Sequence, residues 1–153
     1  MFHFRHARPN DSSCLTDLAA RSEAHWGYDA AFMAPFREDY RITEAFIGEH
    51  VVFVVEEEGR ILGFYALVRG DEGVELEYMY LDPAQLGRGL GRTLWEHMAA
   101  HCRTHGIEQI HLVCGPEPKA FYLKMGAVQT GETDSLVVPG RRAARMTYRI
   151  PAT

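Results

Sequence analysis

The stretch "VELEYMYLDPAQLGRGLGRTLWEHMAAHCRTHG", residues 74–106, restricts the fold more than any other part of the chain. Its first eight residues alternate as a strand does, and Asp82-Pro83 stops them, because proline brings no amide hydrogen to a ladder. Gly87, Gly89 and Gly91 then occupy alternate positions. Beyond them the period changes: Leu90, Leu94, Met98 and Cys102 recur every four residues with Trp95 beside them, which makes one apolar stripe on a helix from Gly89 to about His105. Gly106 ends that helix. A glycine inside a helix costs about 1 kcal/mol relative to alanine. Three at a helix entrance therefore serve either a tight turn or a ligand that lies against bare backbone.

The first N–H groups of such a helix have no partner within it, and the macrodipole adds roughly half a positive charge at the same end. An anion placed there meets donors and a favourable field together. Missing side chains at the glycines let it approach, and Arg88 and Arg92 add fixed positive charge. A Walker loop needs Gly-Lys-Ser/Thr, where this chain has Gly91-Arg92-Thr93. A dinucleotide fingerprint needs a glycine at position 92, an early βαβ unit and an acidic residue at the end of the next strand; none of these is met.

The rest of the chain supplies a sheet for this unit. Phe2 to Arg8 reads as a short first strand, and Asn10-Asp11 caps a helix to about Ala24. "HWGYD" interrupts, and a second helix is expected from about Asp29 to Tyr40. "HVVFVVEEEGRILGFYALV" reads as a hairpin turning at Glu58-Gly59. "EQIHLVC" is a fifth strand and "PKAFYLKM" a short helix closed by Gly126. Final strands are expected near Val128 to Thr133 and Arg145 to Ile150. The order is strand, two helices, three strands, helix, strand, helix, two strands, which predicts an α/β (α+β) mixed sheet with helices on both faces.

A length of 153 residues suits one domain, 1–153, and a 46% hydrophobic fraction suits a packed core. The formal net charge of −5 speaks against a general nucleic-acid binder and weakly favours a cationic small partner. Cys14, Cys102 and Cys114 have no zinc or redox spacing and read as reduced thiols. "MFHFRHARPN" lacks a signal core, and the apolar runs fall short of the roughly 20 residues that a membrane span needs. A soluble, cytoplasmic protein without membrane contact is expected.

Taken together, "VELEYMYLDPAQLGRGLGRTL" followed by "PKAFYLKMGA" resembles the two core motifs of the GNAT N-acetyltransferases, in their order. "SEAHWGYDAAF" and "GETDSLVVPGR" resemble segments of a bacterial subgroup. The family pattern Gln/Arg-x-x-Gly-x-Gly/Ala falls on Leu86, Gly87, Arg88, Gly89, Leu90 and Gly91, with Gln85 one position early. Its Asn-x-x-Ala-x-x-Phe-Tyr falls on Gly115, Pro118, Phe121 and Tyr122. Leu86, Gly115 and Pro118 depart from the pattern; backbone amides carry the phosphate contact, so Leu86 does not abolish it.

The resemblance implies the GNAT fold, a mostly antiparallel sheet whose fourth and fifth strands splay, with acetyl-CoA as donor and an amine as acceptor. The pantetheine arm pairs with backbone at Met79, Tyr80 and Leu81, and the thioester carbonyl accepts an N–H near Leu81. The diphosphate meets Leu86 to Arg92. Phe121 packs inward and, with Lys124, belongs to the coenzyme's surroundings. Tyr122 stands where the family keeps the acid for the leaving thiolate. An alkylammonium with a pKa of about 10.4 costs roughly 4.6 kcal/mol to deprotonate at pH 7. Glu75 and Glu77 share a strand face with Met79 and are the two candidate bases. Both are also compatible with a merely solvated edge.

Trp26 and Tyr28, with Glu23 and Asp29 adding attraction, are candidates for holding a cationic acceptor over their rings, or they are ordinary core anchors. The acceptor class is a small amine (polyamine, amino acid or aminoglycoside) or a peptide amine, and a homodimer is possible. His97, His101 and His105 lie four apart, yet no further ligand type clusters with them and no metal is expected. The rival to catalysis is a GNAT-fold module that binds acetyl-CoA as a sensor, which the Leu86 and Gly115 departures keep open.

Overall fold

In the computed structural model, residues 2–25, 41–134 and 142–152 are described. The strands are β1 (His3–His6), β2 (Val51–Glu57), β3 (Arg60–Gly70), β4 (Gly73–Leu81), β5 (Gln109–Cys114), β6 (Val128–Asp134) and β7 (Arg142–Arg149). The described helices are α1 (Ser12–His25), α2 (Glu44–Glu49), α3 (Leu90–Thr104) and α4 (Pro116–Lys124). The sheet order is β1-β2-β3-β4-β5-β7-β6. The helix expected over Asp29 to Tyr40 lies outside the described residues. The short α2 adds to the predicted elements; Thr43 caps it through its hydroxyl, which accepts from the Phe46 N–H at 3.0 Å.

Two compact units are present, Met1–Leu67 with Tyr78–Leu94 and Val68–Glu77 with Trp95–Thr153. In the first, β1 pairs antiparallel with β2 and β2 antiparallel with β3. The hairpin turns at Glu58 (φ 54°) and Gly59 (φ 77°), the left-handed pair that a two-residue connection requires. The buried residues include Leu15 and Leu18 of α1, Val52, Val54 and Val55 of β2, and Phe64 of β3. Thr16 on α1 accepts from the Ile42 N–H at 3.0 Å and so fixes the segment that leads into α2.

In the second unit, β5 and β6 both pair antiparallel with β7. β4 meets β5 in parallel at only two positions, Val74↔Ile110 and Glu75↔His111, as expected of strands that part beyond that point. Met98 and Cys102 of α3 are buried, as are Ile110 and Leu112 of β5 and Met146 and Tyr148 of β7. The whole stripe read from the four-residue period, Leu90, Leu94, Met98 and Cys102, is buried.

Candidate active site

In the first unit, the end of β4 is clamped before the glycine turn begins. A Cβ at Gly63 on β3 would stand 2.9 Å from the Tyr80 carbonyl and 2.8 Å from a Leu81 methyl, so only glycine lets β4 come this close. The Asp82 N–H donates to the Leu62 carbonyl at 2.8 Å. Asp82 is 3% exposed; its side chain accepts from the Ala84 N–H at 3.0 Å and meets Arg21 of α1 at 3.1 Å. Burial pushes this carboxyl up, but the Ala84 N–H and Arg21 outweigh that and hold it below its ordinary value.

A 3-10 turn, Pro83–Gln85, leads from this anchor into the glycines. Gly87 (φ 89°) and Gly89 (φ 76°) take left-handed conformations that other residues rarely adopt. A Cβ on either would meet no protein atom within 4 Å. Backbone conformation therefore selects glycine at both positions, and the faces left bare are open. Gly91 has no positive φ, so the turn does not explain it. A helical bond at this end runs from the Thr93 N–H to the Gly89 carbonyl at 3.2 Å, which leaves the N–H groups of Leu90 and Gly91 ahead of the ladder. Open glycine faces beside leading helical N–H groups fit a diphosphate.

The side chains around the turn have distinct roles. Leu86, Gly87, Arg88, Gly89 and Arg92 are exposed and Gly91 half-buried, whereas Leu90 is in the core and has only its backbone to offer a ligand. Arg88 does not stand as a lone positive charge. It pairs with Glu57 at 3.3 Å, donates to Gln85 and lies 5.1 Å over the Phe2 ring. The Arg88 hydrogen bond holds the Glu57 carboxyl below its usual range. Leu86 is 46% exposed where the family pattern has Gln or Arg.

Met79, Tyr80 and Leu81 are half-buried at the end of β4. The Tyr80 hydroxyl donates to the Glu23 carboxylate at 2.9 Å. This pair joins residues 57 apart in sequence, and no local pattern announces it. Trp26, Tyr28 and Asp29, the other residues considered for acceptor binding, lie outside the described residues. Glu75 and Glu77 belong to the part of β4 in the second unit. Glu75 is half-buried, with its carboxyl carbon 3.6 Å from the Cβ position of Gly70, and Glu77 is exposed.

Tyr122 sits in the second unit among aromatic rings. The Trp95 centroid lies 5.9 Å from Tyr122, 6.2 Å from Phe121 and 4.7 Å from Tyr148, the last edge-on. Gly126 leaves room for Tyr148, since a Cβ there would stand 3.2 Å from the ring. Trp95 is 3% exposed, and its Nε1 is buried without a hydrogen-bond acceptor among the described residues. Tyr122 is buried, Phe121 half-buried and Lys124 exposed. Gly115 caps α4 without a side chain, and Pro116 follows it at the first helical position. Glycine in place of asparagine at an N-cap costs only a few tenths of a kcal/mol.

Burial raises the Cys102 and Cys114 thiols to about 11, and it also raises Cys14. His101 and His105 stack with centroids 4.1 Å apart. Among the described residues no three His, Cys, Asp or Glu side chains are grouped to hold a metal, and no helix is long and apolar enough to cross a membrane.

Residues 17–127 match the acetyltransferase (GNAT) family. The chain is 30% identical over 110 residues to glucosamine 6-phosphate N-acetyltransferase 1 of Oryza sativa subsp. japonica, a match that covers 66% of this chain and 64% of that protein. It is 31% identical over 93 residues to the 5-NmdU N-acetyltransferase of Pseudomonas phage PaMx11, covering 60% and 66%. The chain thus spans just under two thirds of the length of these relatives. The crystal structure of the PaiA N-acetyltransferase from Thermoplasma acidophilum, in complex with coenzyme A, shares the fold: TM-score 0.81 at 19% identity, covering 97% of this chain and 99% of that one. Carrying the family's sequence signature over most of its length, and its fold over nearly all of it, the chain belongs to the GNAT acetyltransferase family.

Proposed function

We propose that the chain is an acetyl-CoA-dependent N-acetyltransferase that acts on a primary amine of a small molecule or peptide, by direct attack within a ternary complex. The observation that carries this reading is the turn at 87–91. Two left-handed glycines leave open faces beside N–H groups that precede the first helical bond, and the turn follows directly on the clamped end of β4. Acetyl-CoA would supply the activated acetyl group. Backbone from Gly87 to Arg92 binds its diphosphate, and Met79 to Leu81 holds the pantetheine arm. The N–H near Leu81 stabilises negative charge developing on the carbonyl oxygen.

Glu75 or Glu77 takes the proton of the acceptor ammonium, directly or through water. Tyr122 donates to the departing thiolate; a free phenol ordinarily titrates at about 10 and a free thiol at about 8.5. Direct transfer is favoured over an acetyl-cysteine intermediate because all three thiols are raised and none is an activated thiolate.

Acetyl-CoA should raise the melting temperature, and free thiol should appear when an amine panel is added. Absence of a thermal shift sinks the reading. A shift without thiol release on any acceptor would favour an acetyl-CoA sensor, the alternative for which the exposed Leu86 speaks. Tyr122→Phe should lower turnover about 10²-fold or more while coenzyme affinity holds. Unchanged turnover removes Tyr122 from the chemistry.

A further inference from the structure

Arg88 stands between two left-handed glycines, in the middle of the turn to which the proposed function assigns the diphosphate. Its side chain is engaged elsewhere in the first unit. Both terminal nitrogens of the guanidinium reach the Glu57 carboxylate, each at 3.3 Å, and Nη1 also donates to the Gln85 side chain. The guanidinium carbon lies 5.1 Å over the Phe2 ring. Glu57 is the last residue of β2 and closes the hairpin opposite Arg60. Phe2 precedes β1, whose first residue, His3, pairs with Glu56. One side chain therefore ties the glycine turn to the paired ends of β1 and β2.

This pairing changes what Arg88 can give an anion. A guanidinium fork that faces a carboxylate presents almost no net charge to a diphosphate. The Glu57 carboxylate by itself would repel phosphate. Conformation acts in the other direction. Glycine loses more freedom on ordering than any other residue, and Gly87 and Gly89 flank Arg88 directly. The backbone of the turn adds a long bond, from the Arg88 N–H to the Gln85 carbonyl at 3.4 Å. N–H groups that converge on one ligand bind it more tightly when their positions are fixed beforehand. A tether on the residue between two such glycines lowers the ordering cost at both.

We infer that Arg88 is a positioning residue and not a phosphate ligand: anchored by Glu57, with Gln85 and Phe2 against it, it holds the turn in the shape that receives the coenzyme's diphosphate. Glu57, a carboxylate beside an anion site, thereby strengthens anion binding. This inference rests on the acetyltransferase reading, with acetyl-CoA as the ligand.

The test measures acetyl-CoA affinity of the full chain by calorimetric titration. The pair is partly exposed, so its effect is modest. Glu57→Gln should weaken binding about two- to fivefold, although it removes a negative charge from the neighbourhood of the phosphates. Arg88→Met should weaken it by a similar factor, and the double variant should be little worse than either alone. Glu57 has further interactions, and this cycle separates the Arg88 contribution from them. Arg88→Lys should not restore affinity, because an ammonium lacks the fork that meets the carboxylate and the flat face that meets Phe2. Without ligand, melting temperatures should move by no more than about 3 °C, which separates a loosened turn from a loosened fold.

Tighter binding by Glu57→Gln overturns the inference, since Arg88 would then have been released onto the phosphates. Unchanged affinity in Glu57→Gln, additive losses in the double variant, a larger fall in melting temperature, or full affinity in Arg88→Lys does the same. If wild-type protein does not bind acetyl-CoA, the acetyltransferase reading itself fails and the tether falls with it. Binding by wild type together with any of the preceding outcomes removes the tether alone.

Discussion

The glycine turn and the rings around Tyr122 are built on opposite principles. The turn is exposed, offers backbone, and owes its shape to two left-handed φ angles. The aromatic cluster is buried, consists of side chains, and owes its shape to volume, with Trp95 edge-on to Tyr148 and Gly126 making room. A site made of backbone tolerates changed side chains but not changed dihedrals. A site made of packed rings tolerates neither cavities nor added bulk. This difference explains how Leu86 can replace a polar family residue in the turn while the Phe121-Tyr122 pair stands as in the pattern.

The largest expected effect falls on the packed side. Trp95→Ala should lower stability by about 3–5 kcal/mol in urea unfolding. A loss under about 1 kcal/mol would mean that volume does not govern this cluster. On the backbone side, Gly89→Ala forces a Cβ into the left-handed region at a cost of about 1–2 kcal/mol. It should also weaken acetyl-CoA binding in a titration, although the new methyl meets no protein atom. Intact binding and stability together would show that the turn tolerates a changed conformation.

The anchor between strand and turn should respond to acid. Asp82→Asn should cost about 1 kcal/mol at neutral pH, a modest figure because the partner Arg21 is half exposed and screened by solvent. The Asp82 carboxyl is held below its ordinary value in the fold. Its contribution is therefore complete above the unfolded value of about 3.9 and is lost as pH falls through the lower, folded one. Asp11, also depressed, adds a slope common to wild type and variant. Melting temperatures followed from neutral pH into strong acid should converge for wild type and the Asp82→Asn variant only at the acid end; a constant gap would discard the linkage.

The smallest effect has the opposite sign. Gly91 lies in the first turn of α3 at negative φ, so Gly91→Ala should stabilise the fold by up to about 1 kcal/mol. If a diphosphate lies against that position, acetyl-CoA affinity should fall even as the melting temperature rises. A gain in both would assign Gly91 to no ligand.

Most strands, α1, α3 and α4 are legible in the sequence because periodicity and punctuation act over neighbouring residues. The alternation of 74–81, the four-residue stripe from Leu90 and the stops at Pro83 and Gly106 need no distant partner. The glycine turn is legible for the same reason, since left-handed φ is a property of single residues. The short α2 escapes such a reading because "TEAFIGE" is too brief to show a period. Arg88 reads as free charge in the sequence, and nothing near it points to Glu57, 31 residues away.

Contiguous segments are enough to set the order of elements, the family resemblance and the presence of a backbone-lined turn at a helix start, because each of these resides within a short run of residues. Closure of the chain alone makes Asp82 a buried anchor for Arg21, lets Gly63 admit β4, and joins Glu23 to Tyr80. Those facts depend on which surfaces meet when the chain folds, and a carboxylate carries no local mark of the phenol it will find.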